Sequence, residues 1–255
     1  MPVWSDANPL AVRLSLIVTA LLAAFAFLDE PLYQFFRDNG RPAANDARIL
    51  WRDITLLGDS GWMLAGCALV AGFAIWVGRD AASLRLRRGA ARLRDQALFV
   101  AVCVGGLGLL AMALKFSIGR ARPKLHDTLG QFHFEPFALT FKINSFPSGH
   151  ATTLLALAAA LALLAPRWRP LFCTVAVWAA FSRVATGQHY LSDVIAGAAL
   201  GWFGARWLAG RAAARGLVFA PDFTLLGAAD ARAAARAGAR AMADGVRRRI
   251  AAAWR

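Results

Sequence analysis

The chain has 255 residues, of which 58% are apolar and 17% are charged. Soluble domains hold about 45–50% apolar residues with glycine included and about 25% charged residues, so this composition excludes a disordered chain and is atypical of a soluble domain. The net charge is +14, and 26 of the 29 cationic residues are Arg. Because these Arg residues lie between apolar segments, they indicate membrane topology rather than a nucleic-acid surface.

Six apolar segments are candidates for helices that cross a bilayer core of about 30 Å. They are rich in Leu, Ala and Val, and none shows the alternating pattern of a strand. The segments cover about residues 10–28, 62–78, 97–117, 150–165, 170–185 and 190–209. The sequence therefore predicts an all-α, polytopic membrane protein with about six transmembrane helices. Residues 1–209 form the predicted six-span domain, and residues 210–255 form an Arg/Ala-rich cytoplasmic tail.

The distribution of Arg residues predicts the orientation of these spans. Segment 79–95 contains six Arg residues and the tail 211–255 contains nine, whereas segment 29–61 contains four Arg and six acidic residues. The positive-inside rule then places both termini in the cytoplasm of a bacterial inner membrane, and segments 29–61, 115–149 and 182–190 on the periplasmic side. An alternative interpretation takes residues 14–28 as the apolar region of a cleaved signal peptide, which would leave five spans.

Cationic and small polar residues collect at the predicted outer ends of spans three to six. Ionisable residues at such positions are costly and are usually functional. Lys115, Arg122 and Arg183 predict a site for a multiply charged anion, because Arg matches the geometry of phosphate oxygens. Ser148 and Gly149 lie where the fourth span begins, and free N–H groups at a helix start favour phosphate.

Two histidines and one carboxylate in the same region predict the chemistry. His189 and Asp193 are four residues apart, so on a helix they share one face. Asp193 would bind one ring nitrogen of His189 and leave the other nitrogen free as a nucleophile. His150 comes from a different span and would protonate a leaving oxygen. The set therefore predicts phosphoryl transfer.

Three strings with fixed spacing carry a family resemblance. They are Lys115-x6-Arg122-Pro123, Pro147-Ser148-Gly149-His150 and Ser182-Arg183-x5-His189-x3-Asp193. These strings resemble the three signature motifs of the type 2 phosphatidic acid phosphatase superfamily. The resemblance implies a metal-independent membrane lipid phosphatase that has no cofactor and forms a phosphohistidine intermediate.

The resemblance also implies a role for each motif residue. His189 is the expected nucleophile, Asp193 its orienting partner and His150 the general acid. The residues expected to hold the phosphate are Lys115, Arg122, Ser148, Gly149 and Arg183. The expected substrate is a lipid with a phosphate monoester or diphosphate, such as undecaprenyl diphosphate, lipid A, phosphatidylglycerol phosphate or phosphatidic acid. The stretch 119–150 also resembles bacterial members described as lipid A or undecaprenyl-type phosphatases.

Three other functions share part of this pattern. A lipid-to-lipid phosphotransferase would use the same site with a different acceptor. A vanadate-dependent haloperoxidase shares the anion-binding motifs, but those enzymes are soluble. A non-catalytic scaffold or transport component would tolerate loss of the motif residues, which are all present.

Smaller features predict packing and membrane contacts. Gly197 and Gly201 suit close helix packing, which we interpret as packing within the chain rather than a homodimer seam, so the expected state is a monomer or weak homodimer. Residues 58–61 predict a turn, and His126 and His133 have no evident partner. The tail is expected to be solvated, or else to bind anionic lipid. Its proposed anchors are Val218, Phe219, Phe223, Leu225 and Leu226, beside an Arg stripe at Arg232, Arg236 and Arg240.

Overall fold

The computed structural model describes residues 9–39, 46–138 and 140–220, with the single residues 225, 240, 243, 244 and 247. All regular elements in these residues are helical, which confirms the predicted all-α class. The helices are α1 (Pro9–Ala23), α2 (Asp29–Asn39), α3 (Asp46–Leu56), α4 (Ser60–Asp80), α5 (Leu84–Ile118), α6 (His126–Leu129), α7 (Gly149–Leu164), α8 (Arg169–Ala185) and α9 (Leu191–Ala214). A π-helical turn (Ala24–Leu28) joins α1 to α2.

The helices coincide with the six predicted segments, but several of their ends differ. The first segment continues without a break through α2, and α3 lies in what was predicted as an outer loop. Segment 79–95, predicted as a loop, is mostly helical, because α4 ends at Asp80 and α5 begins at Leu84. Arg and Leu are strong helix formers, and the Ser83 hydroxyl caps α5 by accepting from the Leu86 N–H at 3.2 Å.

Three helical stretches in the described residues are long and apolar enough to cross a membrane: Ser15–Asp38, Ser60–Asp80 and Leu84–Ile118. Helix α7 is strongly apolar but has only 16 residues, about 24 Å at the usual helical rise. That length falls short of the hydrocarbon core of about 30 Å. The count of six spans therefore stays a prediction.

Helix α7 is the centre of the bundle and packs against α5, α8 and α9. Its contact with α9 is very close because two glycines of α9 face the α7 backbone. A β-carbon at Gly197 would lie 2.3 Å from the Ser148 carbonyl oxygen, and one at Gly201 would lie 2.2 Å from that of Thr152. This confirms the interpretation of the two glycines as packing within the chain.

The chain turns back onto the bundle after α9. Phe219 is fully buried and packs edge-on against Phe99 of α5, with ring centroids 5.0 Å apart. The prediction that Phe219 anchors the tail in the membrane interface is therefore wrong, because the bundle interior already buries its ring. Phe223, Leu226, Arg232 and Arg236 lie outside the described residues.

We expect Gly201→Ala to destabilise the bundle by about 1–3 kcal/mol, because the new methyl group would force α7 and α9 apart. The measurement is thermal unfolding of the purified protein in detergent. Gly72→Ala is the matched control, since a β-carbon there meets nothing within 4 Å. Equal unfolding temperatures for both variants would contradict the close packing.

Candidate active site

Lys115 lies in the last turn of α5, and Gly119 ends this helix. Gly119 adopts a φ of 63°, and its N–H donates to the Lys115 carbonyl oxygen at 2.9 Å. A β-carbon at this position would lie 1.8 Å from the Glu135 carbonyl oxygen, so only glycine fits. This turn directs the following residues, Arg120 and Arg122, back across the end of the bundle.

The start of α7 lies next to Lys115, as the prediction of an anion site requires. A β-carbon on Gly149 would lie 3.7 Å from the Lys115 ammonium nitrogen. Ser148 is the N-cap, and its hydroxyl accepts from the Ala151 N–H at 3.5 Å. The Ser148 backbone N–H donates to the Asp193 carbonyl oxygen at 2.9 Å. Ser148 is fully buried, and its backbone N–H joins the start of α7 to α9 while its hydroxyl caps α7.

His189 and Asp193 come together, but not on one helix as predicted. His189 lies in the turn between α8 and α9, and α9 begins only at Leu191. The helix begins late because the Asp193 carboxylate accepts from the Tyr190 backbone N–H at 2.9 Å and so caps it. His189 Nδ1 then lies 3.7 Å from Asp193 Oδ2.

Ser145 is a site residue that the sequence analysis missed. Its buried hydroxyl donates to Asp193 Oδ2 and lies 3.3 Å from His189 Nδ1. The distance from His189 to Ser145 is shorter than the distance to Asp193, so the hydroxyl bridges the two motif residues. Ser145 lies only two residues before Pro147, but a single serine beside a motif gives no sequence signal of its own.

Arg183 is buried, Lys115 and Arg122 are half-buried, and the two guanidinium groups are only partly engaged in hydrogen bonds. Arg183 Nη1 donates to the Thr55 hydroxyl of α3 at 3.2 Å. Among the residues that the structure describes, Arg183 Nε and Arg122 Nε find no hydrogen-bond partner. Burial lowers the pKa of Arg122, against the opposing effect of Asp193. Buried donors of this kind suit an anion that brings several acceptor oxygens.

The charge state of His189 follows from its surroundings. Burial, together with the smaller effects of Lys115 and Arg183, lowers its pKa to about 3 against the opposing effect of Asp193. The ring is therefore neutral near pH 7. Nδ1 lies beside the Ser145 and Asp193 oxygens, so it carries the proton of the neutral ring. Nε2 then has a free lone pair, which a nucleophile needs.

A cavity of about 660 Å³ opens beside this group and is lined by His189, Arg183 and Pro123. Lys115, Arg122, Ser148, Gly149 and His150 are not among its lining residues. His150 instead packs beside Gly58, where a β-carbon would lie 2.7 Å from its ring. It is close enough to Arg183 and Lys115 to interact with them electrostatically. The predicted residues thus meet at one end of the bundle, with His189 and Arg183 facing the cavity.

Arg120 and Asp29 form a buried network that no motif predicted. Arg120 is fully buried and donates to Asp29 Oδ2 at 2.9 Å and to Asp193 Oδ1 at 2.7 Å. Asp29 also accepts from the Ser192 N–H at 2.9 Å. The network ties α2 to the start of α9. Asp29 and Arg120 are 91 positions apart in the chain. Arg120 occupies one of the variable positions of the first motif, which is why the spacing gave no signal.

His126 also has partners that the sequence did not suggest. Its Nε2 lies 2.7 Å from Glu30 Oε2, and its Nδ1 lies 3.1 Å from the Tyr190 hydroxyl. His133 lies 4.0 Å from Glu135 and is partly exposed. In the described residues, no group of three or more His, Cys, Asp or Glu side chains is arranged to hold a metal ion. The prediction that no cofactor is needed stays a prediction.

Comparisons with known proteins identify relatives of this chain. A sequence model described as PAP2 superfamily matches residues 96–215. A lipid A 1-phosphatase from Rhizobium etli is 43% identical over 171 residues, which cover 64% of this chain and 70% of that protein. A lipid A 1-phosphatase from Rhizobium johnstonii is 39% identical over 205 residues, which cover 76% of this chain and 79% of that protein.

The chain belongs to the PAP2 superfamily. The predicted family is therefore confirmed. A crystal structure of a transmembrane PAP2 type phosphatidylglycerolphosphate phosphatase from Bacillus subtilis shares the fold, with a TM-score of 0.53 and 23% identity. The match covers 78% of this chain and 94% of that one.

The part of the chain that matches the PAP2 superfamily model contains every predicted site residue and Arg120. Asp29 and Thr55 lie outside residues 96–215, on α2 and α3. These two helices therefore complete the polar network around a site whose motif residues lie on α5 to α9.

We expect Arg120→Met to cost about 3–5 kcal/mol of stability, because it leaves the Asp29 and Asp193 carboxylates buried without their cation. Unfolding in detergent, followed by circular dichroism, measures this loss. Arg94→Met is the matched control, since it breaks an exposed ion pair with Asp95 that should contribute at most about 1 kcal/mol. A loss no larger than that of the control would mean that the buried network does not hold this end of the bundle together.

Proposed function

We propose that this chain is a multi-pass membrane lipid phosphatase that removes the 1-phosphate of lipid A or of a closely related glycolipid. The observation that supports this choice of substrate is the sequence identity of 43% and 39% to two lipid A 1-phosphatases. These alignments cover most of both relatives, so the likeness is not limited to the motifs. The site supports the same reaction class, since a neutral histidine and several cations meet beside one cavity.

In the proposed reaction, His189 Nε2 attacks the phosphorus atom of the lipid phosphate. A P–N bond forms, the bond to the lipid oxygen breaks, and His150 donates a proton to that oxygen. In the second step His150 takes a proton from water, and the resulting hydroxide attacks the phosphorus. The P–N bond then breaks, which releases inorganic phosphate and restores His189. Ser145 and Asp193 hold the Nδ1–H of the ring in both steps.

The cations of the site stabilise the negative charge that develops during this transfer. Phosphoryl transfer spreads negative charge over three equatorial oxygens. Lys115, Arg122 and Arg183 present positive charge there, and the start of α7 adds the positive end of a helix dipole. Gly149 lets the phosphate approach that helix start. Because burial excludes water from these groups, their effect on the transition state is larger than it would be at the surface.

We propose that the site end of the bundle faces the periplasm and that both termini are cytoplasmic. Helix α5 supports this orientation, since Arg85 and Arg88 lie near its first turn and Lys115 lies near its last. Phe132, Phe134 and Phe137 are exposed near the site end and suit contact with the outer leaflet. A lipid substrate would then enter sideways from that leaflet, between the spans. The proposed six spans lie within residues 1–209.

The charge of the tail and the α7–α9 contact support two further parts of the proposal. The Arg-rich residues 210–255 follow the last span and are assigned to the cytoplasmic side by their charge. The α7–α9 contact uses Gly197 and Gly201 inside the chain, so these glycines are not available to a dimer seam. A monomer or weak homodimer is the proposed state.

We expect His189→Ala to lower phosphate release by about 10⁴-fold or more, because it removes the covalent step. His133→Ala is the matched control and should keep its rate, since His133 is partly exposed and its side chain lies 4.0 Å from Glu135. The measurement is single-turnover release of ³²P-phosphate from labelled lipid. A His189→Ala rate within tenfold of the wild type would remove this histidine from the mechanism.

We expect lipid A to be the preferred substrate in a panel with phosphatidylglycerol phosphate, undecaprenyl diphosphate and phosphatidic acid. Its kcat/KM should exceed that of each other lipid by about tenfold or more in the presence of EDTA, because headgroup contacts discriminate between substrates. Phosphate release and lipid products are followed together by thin-layer chromatography. Appearance of a phosphorylated second lipid without free phosphate would assign the chain to phosphotransfer instead.

A further inference from the structure

The cavity beside His189 is larger than one phosphate group requires. Its volume of about 660 Å³ is typical of pockets that hold a whole ligand. His189 and Arg183 line it. Arg52 of α3 and Lys124 of the short 3₁₀ turn Pro123–Lys124–Leu125 line the same cavity, together with Arg37 of α2. The space beyond the proposed phosphate site is therefore itself cationic.

The charges of these lining residues are not balanced within the described chain. Arg37 forms ion pairs with Asp38 and Asp127, each at 2.9 Å. Among the described residues, Arg52 and Lys124 form no ion pair, and both are exposed to the cavity mouth. Lys115, Arg122 and Arg183 already supply three positive charges for one phosphate dianion. Two further cations beside the same cavity suit a second anionic group.

Each of the two cations is close in the chain to a residue of the proposed phosphate site. Arg52 precedes Thr55 by three residues on α3, so the two lie on one face about 4.5 Å apart along the axis. Thr55 accepts from Arg183 at 3.2 Å. Lys124 follows Arg122 by two residues, and Pro123 between them lines the cavity. Both regions thus lie on one cavity, within reach of one headgroup that carries two anionic groups.

We propose that Arg52 and Lys124 form a second anion subsite, which binds a second phosphate group of the same lipid molecule whose first phosphate is cleaved at His189. This inference rests on the proposed function and extends it. The subsite would make the enzyme prefer lipids with two phosphates and would fix which of the two lies at His189.

The test compares two synthetic lipids, lipid A with two phosphates and the same lipid with the 1-phosphate alone. For the wild type, we expect kcat/KM to be about tenfold higher for the lipid with two phosphates, because charge-assisted hydrogen bonds hold the second group. In the double variant Arg52→Gln/Lys124→Gln, this ratio should fall to about one. The control Arg85→Gln/Arg88→Gln removes two exposed charges from the far end of α5 and should keep the wild-type ratio.

Two further arms separate other sources of the same chemistry. Inorganic phosphate should inhibit the double variant and the wild type equally, and weaker inhibition of the variant would assign both cations to the cleaved phosphate. Added phosphatidylglycerol should not replace the second phosphate. If it lowered the KM of the monophosphorylated lipid in the wild type alone, the subsite would belong to a neighbouring lipid, and the proposal would be overturned.

A binding measurement keeps this inference separate from the proposed function. The two lipids are titrated against His189→Ala by microscale thermophoresis, with and without the Arg52→Gln/Lys124→Gln changes. We expect about tenfold tighter binding of the lipid with two phosphates, lost when the two cations are removed. Absence of turnover in the wild type with this difference intact would overturn only the proposed function. Equal binding of both lipids by His189→Ala would overturn the subsite.

Discussion

The buried guanidinium of Arg120 is the constraint on which the site end of the bundle depends. It bridges the Asp29 and Asp193 carboxylates and stacks between the Phe25 and Tyr190 rings, 4.7 and 4.3 Å from their centroids. Burying three charged groups is unfavourable unless they pair and form further hydrogen bonds. Here one cation faces two anions, so the set carries one excess negative charge, and additional N–H and hydroxyl groups donate to the two carboxylates.

The Asp193 carboxylate has several roles at once, which couples stability to chemistry. It binds Arg120, caps α9 through the Tyr190 N–H, and accepts from the Ser145 hydroxyl that contacts His189. Arg120 donates to Oδ1, whereas the Tyr190 N–H and the Ser145 hydroxyl both donate to Oδ2. The proposed nucleophile is therefore oriented by the network that ties α2, the loop after α5 and α9 together.

The sequence was sufficient to predict the six apolar helical segments and the family motifs, because apolar length and fixed spacing are local signals, but it did not predict α3. It placed His189 on a helix, since an i, i+4 spacing cannot reveal that Asp193 caps the helix from inside. It missed Arg120 with Asp29, because two lone residues 91 positions apart leave no pattern. Phe219 was misread for a related reason: only the fold shows that the chain returns to the bundle and buries this ring.

The cations of the site serve two requirements with one arrangement. A nucleophilic histidine must be neutral, and a phosphate dianion must be attracted into a buried place. Lys115 and Arg183 add to the effect of burial in keeping the pKa of His189 low, and in the proposed function they also bind the phosphate oxygens. His189 is thus a poor proton donor, so the proton for the leaving oxygen must come from elsewhere. In the proposed function His150, on a different helix near the same cations, supplies this proton once the negative charge of the bound phosphate offsets theirs.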